Sequence, residues 1–284
     1  MKRSWHLQAL LFILTVFSTY YAGRTGLSSY RASGLLYSVA IMSILLAHEM
    51  GHYFMSRRYG VPATLPYFIP LPISPFGTLG AVIKMSGTVT DKRALFDIGV
   101  AGPLCGFILA VPCAFIGIKL SLAVKVPLHA PVGSILGDPL LLKFAEWLIV
   151  GDLPTGFDIL IHPIAYAGWV GLFITALNLL PIGQLDGGHI IYGVFGAKSR
   201  LVSRALIPVL LLLSVFYNVG WFVLVALLLI FGIGHPPPVD AETPLDLKRK
   251  ILAFVMLFVF VVSFVPAPFP GTSLIELMKA LSAK

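Results

Sequence analysis

Charged side chains are what this sequence most lacks. Of its 284 residues only 11% are Asp, Glu, Lys or Arg, whereas 58% are hydrophobic. Soluble globular domains carry about 25% charged residues, and disordered chains are poor in hydrophobic ones. This composition therefore excludes a soluble, disordered or fibrous protein and indicates a membrane protein. The apolar runs are long and continuous, which favours spanning helices over the alternating segments of an outer-membrane barrel.

Cysteine is scarce as well, and acidic residues are outnumbered. Cys105 and Cys113 lie in one apolar run, too far apart along a helix to bridge, so a disulfide scaffold is excluded. The net charge is +8, from 20 basic and 12 acidic residues. The basic residues cluster at the ends of apolar runs, as topology signals do, and no basic stretch is interleaved with aromatics. We therefore expect no nucleic-acid partner.

The apolar runs predict an all-α multi-span membrane protein with about six to eight transmembrane helices. A span needs about 20 residues. One predicted span breaks near Pro181 and resumes as a short helix over residues 186–195. The region 202–233 fits either two short spans hinged at residues 218–220 or one long tilted helix, and residues 140–150 are a further apolar stretch. The predicted spans are residues 7–21, 34–54, 94–122, 161–181, 202–216, 220–233 and 251–265.

The chain is predicted to form one integral membrane domain over residues 1–284. Its core would cover about residues 34–197, with extra C-terminal spans over about 202–265. Most Lys and Arg residues fall on the side of the N-terminus, which the positive-inside rule makes cytoplasmic. We expect a multi-pass protein of the cell (inner or plasma) membrane. The first apolar run is interpreted as a retained span, because Tyr20 is bulky where signal cleavage before Ala22 needs a small residue.

One segment outside the predicted spans has the pattern of a β-structure. Residues 77–89 alternate and are rich in β-branched side chains, which predicts a strand or small hairpin on the cytoplasmic side. An exposed strand edge can pair with an extended peptide, so this segment is a candidate for substrate binding. The alternative is a surface hairpin with no substrate role. The candidate residues are Gly77, Thr78, Leu79, Gly80, Ala81, Val82 and Ile83.

The strongest chemical signal is His48-Glu49-Met50-Gly51-His52 within the second predicted span. Positions i and i+4 share one face of a helix, so both imidazoles can reach one metal ion while Glu49 holds a water beside it. Zinc suits such a site, with three protein ligands and one open position. An ionisable residue at membrane depth costs roughly 2.5–3.5 kcal/mol, which argues against a chance match.

A third ligand has to come from elsewhere in the chain. Asp186 follows Pro181 and Gly183 and precedes two further glycines, in a stretch that also carries Asn178. Such a stretch unwinds a helix at membrane depth, where free backbone groups are tolerated only in protein or beside a wet cavity. Asp186 is the main candidate for the third ligand, and His189 and His162 are alternatives. Asp97, at the mouth of the third span, is interpreted as a helix-start or loop-pairing carboxylate.

The stretch His48–His52 on one predicted span, followed by a second stretch that carries Asp186 on a later span, resembles the site-2 protease family of intramembrane zinc metalloproteases. The second reads Asn178-Leu-Leu-Pro-Ile-Gly-Gln-Leu-Asp186-Gly187. The resemblance covers about residues 35–238 and includes three further stretches similar to bacterial and chloroplast members. These are residues 77–83 (GTLGAVI), 96–104 (FDIGVAGPL) and 235–238 (HPPP).

The resemblance implies one zinc ion per chain, bound by His48, His52 and Asp186, so that His189 and His162 would not be ligands. It implies that Glu49 is the catalytic base and that Asn178 orients or stabilises the reacting carbonyl. The implied reaction is hydrolysis of peptide bonds in transmembrane substrates within the lipid bilayer. Many bacterial members insert a PDZ domain and others append CBS domains; this sequence has room for neither, so it resembles a minimal member.

Other functions remain open at this stage. A transporter or metal-ion channel also builds polar sites at broken helices, although paired half-structures are absent and a glutamate between two histidines favours catalysis. A CAAX-type membrane protease would need a glutamate as the later ligand, where this chain offers Asp186. A catalytically dead scaffold is disfavoured by the intact His48, Glu49, His52 and Asp186.

Overall fold

The computed structural model describes residues 5–26, 30–86, 88–125, 136–232, 234 and 237–282. Over these residues the chain is mostly helical, with two small antiparallel sheets. The helices are α1 (His6–Gly26), α2 (Ser33–Arg58), α3 (Lys92–Lys119), α4 (Leu140–Ile149), α5 (Pro163–Asn178), α6 (Asp186–Phe195), α7 (Ser199–Phe216), α8 (Gly220–Phe231), α9 (Leu247–Ser263) and α10 (Leu274–Ser282). The strands are β1 (Tyr67–Pro70), β2 (Thr78–Val82), β3 (Leu122–Lys125) and β4 (Phe157–Leu160).

Three helical stretches among the described residues are long and apolar enough to cross a membrane. They are α2, α3 and the 31 residues Asp186–Phe216, in which a 3₁₀ turn at Gly196–Lys198 joins α6 to α7. The remaining helices are shorter or less apolar by this measure, and α4, with 10 residues, extends only about 15 Å. The predicted count of six to eight spans stays a prediction.

Local chemistry explains where several of these helices begin and end. The Asp91 carboxylate caps α3 by accepting hydrogen bonds from the backbone N–H groups of Arg93 and Ala94. Asn218 separates α7 from α8, because its Oδ1 accepts from Gly220 N at 2.8 Å and its Nδ2 donates to Thr272 Oγ1 at 2.6 Å. The predicted hinge at residues 218–220 is therefore a break between two helices, not part of one long helix.

The core lies where α2, α3 and α5 pack together. Trp169, Tyr37 and Ile44 are among its fully buried side chains. Small residues allow the helices to approach closely: a methyl group on Gly117 of α3 would lie 2.1 Å from the backbone nitrogen of Ala165 in α5. Close backbone approach of this kind is a typical way for helices to associate in membranes.

The strands β1 and β2 form a hairpin that runs along the length of α2. Near the end of α2, Ser56 Oγ lies 3.4 Å from Met85 Sδ, and near its beginning Tyr37 Oη donates to the Phe76 carbonyl at 2.8 Å. These two positions on α2 are about 28 Å apart at 1.5 Å per residue. The prediction of a strand at residues 77–89 is confirmed for Thr78–Val82. The stretch from Phe76 to Met85 thus spans most of the length of α2, and its placement on the cytoplasmic side stays a prediction.

Two described features were not predicted from the sequence. Strands β3 and β4 pair antiparallel from Leu122↔Leu160 to Lys125↔Phe157, and the Tyr30 hydroxyl donates to the Leu160 carbonyl at 2.6 Å. Helix α10 is short and amphipathic. The similarity noted over residues 235–238 lies partly outside the described residues, since His235 and Pro236 are not described.

Candidate metal centre

The structure brings His48, His52 and Asp186 together. Both histidines are buried on one face of α2. His48 Nε2 lies 3.3 Å from Asp186 Oδ2, His52 Nε2 lies 3.2 Å from Asp186 Oδ1, and the two Nε2 atoms are 3.1 Å apart. Among the described residues these three are the group of His, Cys, Asp or Glu side chains that could hold a metal ion, with ligand atoms within 4.8 Å of one another.

The carbonyl of Ile98 in α3 fixes the orientation of the His52 ring. His52 Nδ1 lies 2.8 Å from Ile98 O. A carbonyl oxygen only accepts hydrogen bonds, so Nδ1 carries the proton and donates it. In a neutral imidazole this leaves the lone pair on His52 Nε2 free, and that nitrogen lies beside His48 and Asp186. Ligating histidines in metalloproteins have just this kind of partner on their second nitrogen.

A row of glycines on α3 provides the space for the two histidines. A methyl group on Gly102 would lie 2.0 Å from His52 Nε2, and one on Gly106 would lie 3.2 Å from His48 Nδ1. A methyl group on Gly99 would meet the Cβ of His189 at 2.7 Å. Two of these glycines thus pack against the imidazoles.

The segment before α6 places Asp186 at the beginning of that helix. Gly183 has a φ of +59°, a conformation that glycine adopts without strain. The chain then folds back closely on itself, since a methyl group on Gly187 would lie 2.1 Å from the carbonyl oxygen of Leu179. The break predicted near Pro181 is confirmed, because α5 ends at Asn178 and α6 begins at Asp186.

The distances within this group fit a zinc ion. In a tetrahedral site with metal–ligand distances of about 2.0–2.1 Å, neighbouring ligand atoms are about 3.3 Å apart. The two Nε2 atoms, 3.1 Å apart, are separated by about the length of such an edge, and each lies 3.2–3.3 Å from one of the two Asp186 oxygens. Two imidazoles and one carboxylate are also a donor set that zinc accepts. The residues present therefore fit the ion that the sequence resemblance implies.

Glu49 lies beside this group and is buried in the protein. Its side chain is next to His48 in sequence and close enough to His52 and Asp186 to interact electrostatically with both. The carboxylate also interacts with the backbone N–H of Ile83, which directly follows β2. The hairpin and the candidate base are thus in contact.

The other candidate residues have different surroundings. Asn178 Nδ2 lies 3.3 Å from His48 Nε2, so its amide borders the group. His162 is not part of it, because its ring caps α5 by accepting from Ile164 N at 3.3 Å and packs edge-on against Tyr30. His189 also lies outside the group of three and faces Gly99. The roles of the site residues in binding and catalysis stay predictions.

A second polar cluster, which the sequence did not reveal, adjoins the centre. Arg249 donates from Nε and Nη2 to the two oxygens of Asp97 at 2.8 and 2.6 Å. The Tyr59 hydroxyl donates to Asp97 Oδ2 at 2.5 Å. This Asp97–Arg249–Tyr59 cluster joins the beginnings of α3 and α9 to the end of α2. The sequence suggested a pairing role for Asp97 but gave no signal for its partner, which lies 152 positions away.

Two histidines and an aspartate that could hold a metal ion, beside a buried glutamate, are the arrangement of a metallopeptidase centre, and comparison with known proteins agrees. Residues 36–219 match the model of peptidase family M50. This match covers more than half of the chain, and the chain belongs to that family. The predicted kinship with site-2 proteases is confirmed.

Relatives in this comparison are named as zinc metalloproteases. The chain is 28% identical over 243 residues to "Probable zinc metalloprotease EGY2, chloroplastic" of Arabidopsis thaliana, covering 84% of this chain and 43% of the relative. It is 35% identical over 175 residues to "Probable zinc metalloprotease EGY1, chloroplastic" of Oryza sativa subsp. japonica, covering 59% of this chain and 29% of the relative. The chain thus spans less than half the length of these relatives.

Among solved structures, the "Site-2 Protease from Methanocaldococcus jannaschii" is similar over 91% of this chain and 87% of that one. The sequence identity is 17% and the TM-score is 0.34.

Proposed function

We propose that this chain is an intramembrane zinc metalloprotease that hydrolyses peptide bonds within or near transmembrane segments of membrane proteins. The observation that carries the proposal is the pair of Nε2 atoms of His48 and His52, which are 3.1 Å apart and each lie 3.2–3.3 Å from a different oxygen of Asp186, with Glu49 buried beside them. A glutamate adjacent to two histidines at i and i+4 is the arrangement of a hydrolytic metal site.

His48, His52 and Asp186 would hold one zinc ion per chain. When bound, zinc supplies a Lewis acid that polarises a carbonyl oxygen and lowers the pKa of water toward about 7. The Ile98 carbonyl keeps the His52 ring in the ligating tautomer. Gly102 keeps the space at His52 Nε2 open.

Glu49 is the general base and acid. Its carboxylate takes a proton from the attacking water and gives it to the leaving amine. Such general acid–base catalysis accelerates a reaction by about 10²–10⁴-fold. Asn178 Nδ2, which borders His48, is placed to donate a hydrogen bond to the reacting carbonyl.

The free edge of β2 is the proposed docking site for the substrate backbone. One edge of β2 pairs with β1, and the two strands form a two-stranded sheet. Leu79 and Val82 are exposed, and the amide of Ile83 lies against Glu49. A peptide that pairs with β2 in extended form would therefore reach the candidate base with the carbonyls of its outer edge unpaired, as hydrolysis requires.

We place the protein in a cell membrane, multi-pass, with a cytoplasmic N-terminus. His52 lies about 9 Å from the end of α2, where Arg57 and Arg58 follow. Basic residues mark the cytoplasmic side of a membrane. Water would thus reach the centre from the cytoplasm over a short distance.

The test compares zinc content and cleavage in the purified, detergent-solubilised chain. Zinc per chain is measured for the wild type, Glu49→Gln, Asp186→Ala and the control His189→Ala, and the same samples are assayed on a model transmembrane peptide. We expect about one zinc in the wild type, Glu49→Gln and His189→Ala. We expect loss of zinc in Asp186→Ala and loss of cleavage in both Glu49→Gln and Asp186→Ala.

Two results would overturn the proposal. Cleavage that survives Glu49→Gln would exclude Glu49 as the base, and a wild type without zinc would exclude the metal centre. A transporter or metal-ion channel would bind metal without cleaving the peptide in any of the four samples.

A further inference from the structure

A cavity of about 580 Å³ lies between α6 and α9. Most of its lining is apolar. The walls come from both helices and from the segments at residues 179–181 and 244–245, and include Ile190, Val194, Phe195, Phe254, Leu257 and Phe260.

One end of this cavity is cationic. The charged side chains among its described lining residues are Lys92, at the beginning of α3, and Lys250, near the beginning of α9. Neither lysine takes part in the ion pairs found among the described residues. Asp240 attracts Lys92 electrostatically, but its carboxylate is already held by Thr243 and by the backbone of Glu242.

The apolar part of the cavity opens toward the outer surface of the helices. Phe254 is 73% exposed and Leu257 is 56% exposed, and both line the cavity. In a membrane protein such side chains face acyl chains. The cavity is thus open to lipid along its side and cationic at its end.

We propose that this cavity binds an anionic phospholipid, with the phosphate between Lys92 and Lys250 and an acyl chain between α6 and α9. Basic pockets between membrane helices on the cytoplasmic side bind anionic headgroups. The proposal does not depend on the protein being a protease.

The size of the cavity fits a small apolar ligand such as an acyl chain. The volume lies within the range of small-molecule sites, about 300–1,000 Å³. An acyl chain is thin enough to enter and has no backbone polar groups to satisfy.

A bound lipid would touch the segment that carries Asp186. Leu179, Pro181 and Gly187 line the cavity, and Gly187 directly follows Asp186. The lipid would therefore pack against the chain that positions the third candidate ligand.

The experiment titrates the purified full chain with phosphatidylglycerol and with phosphatidylcholine, and counts bound lipid by native mass spectrometry. The variant Lys92→Gln/Lys250→Gln removes both cations of the cavity. The matched control, Lys198→Gln/Lys248→Gln, removes two exposed lysines that do not line it. A second variant, Ala253→Trp, fills the apolar part, with Val261→Trp on the same helix as its control.

We expect one phosphatidylglycerol per wild-type chain and weaker binding of phosphatidylcholine. Each lysine near a membrane surface contributes a factor of about five in affinity, so the double variant should bind phosphatidylglycerol about thirtyfold more weakly. The lysine control should stay within about threefold of the wild type. Ala253→Trp should abolish binding, whereas Val261→Trp should not. Zinc content and thermal unfolding show in each case that the variant is folded.

Four outcomes would overturn the proposal. Equal weakening in the two lysine variants would mean that the net charge alone attracts the lipid. Displacement of the lipid by excess inorganic phosphate, or equal binding of phosphatidylcholine, would deny a site for an anionic phospholipid. An Ala253→Trp variant that retains the lipid but loses cleavage would assign the cavity to a substrate helix.

Discussion

Arg249, in the first turn of α9, forms a bidentate ion pair with Asp97 in α3, at distances of 2.8 and 2.6 Å. Asp97 directly precedes Ile98, whose carbonyl accepts the hydrogen bond from His52 Nδ1. The ion pair therefore fixes the backbone that orients one of the candidate metal ligands. Tyr59, which directly follows α2, donates a hydrogen bond to the same carboxylate. It thereby links the end of the helix that carries His48 and His52 to Asp97.

Breaking this ion pair should weaken both the fold and the metal centre. Asp97→Asn leaves Arg249 without its bidentate partner in a partly buried position, which should lower the free energy of unfolding by about 2 kcal/mol. Loss of control over the Ile98 carbonyl should weaken zinc binding about 10–100-fold, as outer-shell changes do. Zinc affinity measured by competition with a chelator tests this.

The control is Asp246→Asn, since Asp246 also pairs with Arg249 but is more exposed and does not adjoin Ile98. It should cost less stability and leave zinc affinity near that of the wild type. If both variants lost zinc to the same degree, the ion pair would have no specific link to His52.

Replacing Gly102 by alanine should displace His52 from the centre. The added methyl group would lie 2.0 Å from His52 Nε2, closer than any van der Waals contact, so the ring or the helix has to move. We expect zinc binding about 100-fold weaker, because ligand geometry has to hold within about 0.5 Å. Zinc affinity is the measurement, and the thermal unfolding midpoint checks the fold.

Gly106→Ala is the control for Gly102→Ala, because its methyl group makes a milder clash with a histidine. Its methyl group would lie 3.2 Å from His48 Nδ1, a distance that a small shift of the ring accommodates. Its zinc affinity should fall by less than that of Gly102→Ala. A larger loss in Gly106→Ala would show that the space at His52 is not what limits the site.

The sequence predicted what depends on local pattern and missed what depends on distant contacts. The continuous apolar runs predicted helices that the structure describes at nearly the same positions, and the i, i+4 spacing predicted that His48 and His52 share a face. The position of the β1–β2 hairpin against α1 and α2 was not predictable, because it is fixed by the contacts of Tyr37 with Phe76 and of Ser18 with Gly77, between residues 39 and 59 positions apart. The ion pair between Arg249 and Asp97 was not predictable for the same reason, since the two residues are 152 positions apart.

The free energy of unfolding should fall as the pH rises from about 4.5 to about 7, because Glu146 in α4 loses its proton in the folded state only near the upper value. Burial, the largest cause, and the charges of Asp138 and Asp158 together raise the pKa of Glu146 to about 7, while the charge of Lys143 opposes them. From the ordinary value of 4.5 up to about 7, the folded state therefore holds a proton that the unfolded state has lost. The stabilisation by this proton is complete below pH 4.5 and is lost as the pH rises through about 7.

Glu146→Gln should remove this pH dependence and raise the unfolding midpoint at pH values above the Glu146 pKa. The measurement is thermal unfolding of the solubilised protein on both sides of that pKa. Asp158→Asn is the companion variant, since it removes one neighbouring charge and should shift the transition to lower pH. An unchanged pH profile in both variants would rule out Glu146 as its cause.

Proline at Leu79 should slow cleavage if the substrate pairs with the free edge of β2. Leu79 is 66% exposed, so its side chain can be replaced with little loss of packing, whereas proline removes the backbone N–H that an added strand would use. We expect a decrease of about tenfold or more in kcat/KM, because the loss of one or two backbone hydrogen bonds costs about 1–2 kcal/mol. Leu79→Ala, which keeps the N–H, should cleave nearly as the wild type does.

Unchanged zinc content in Leu79→Pro shows that the hairpin still supports the centre. Equal kcat/KM for the proline and alanine variants would exclude pairing at this position and leave the side chains of β2, exposed Val82 among them, as the remaining contacts for the substrate.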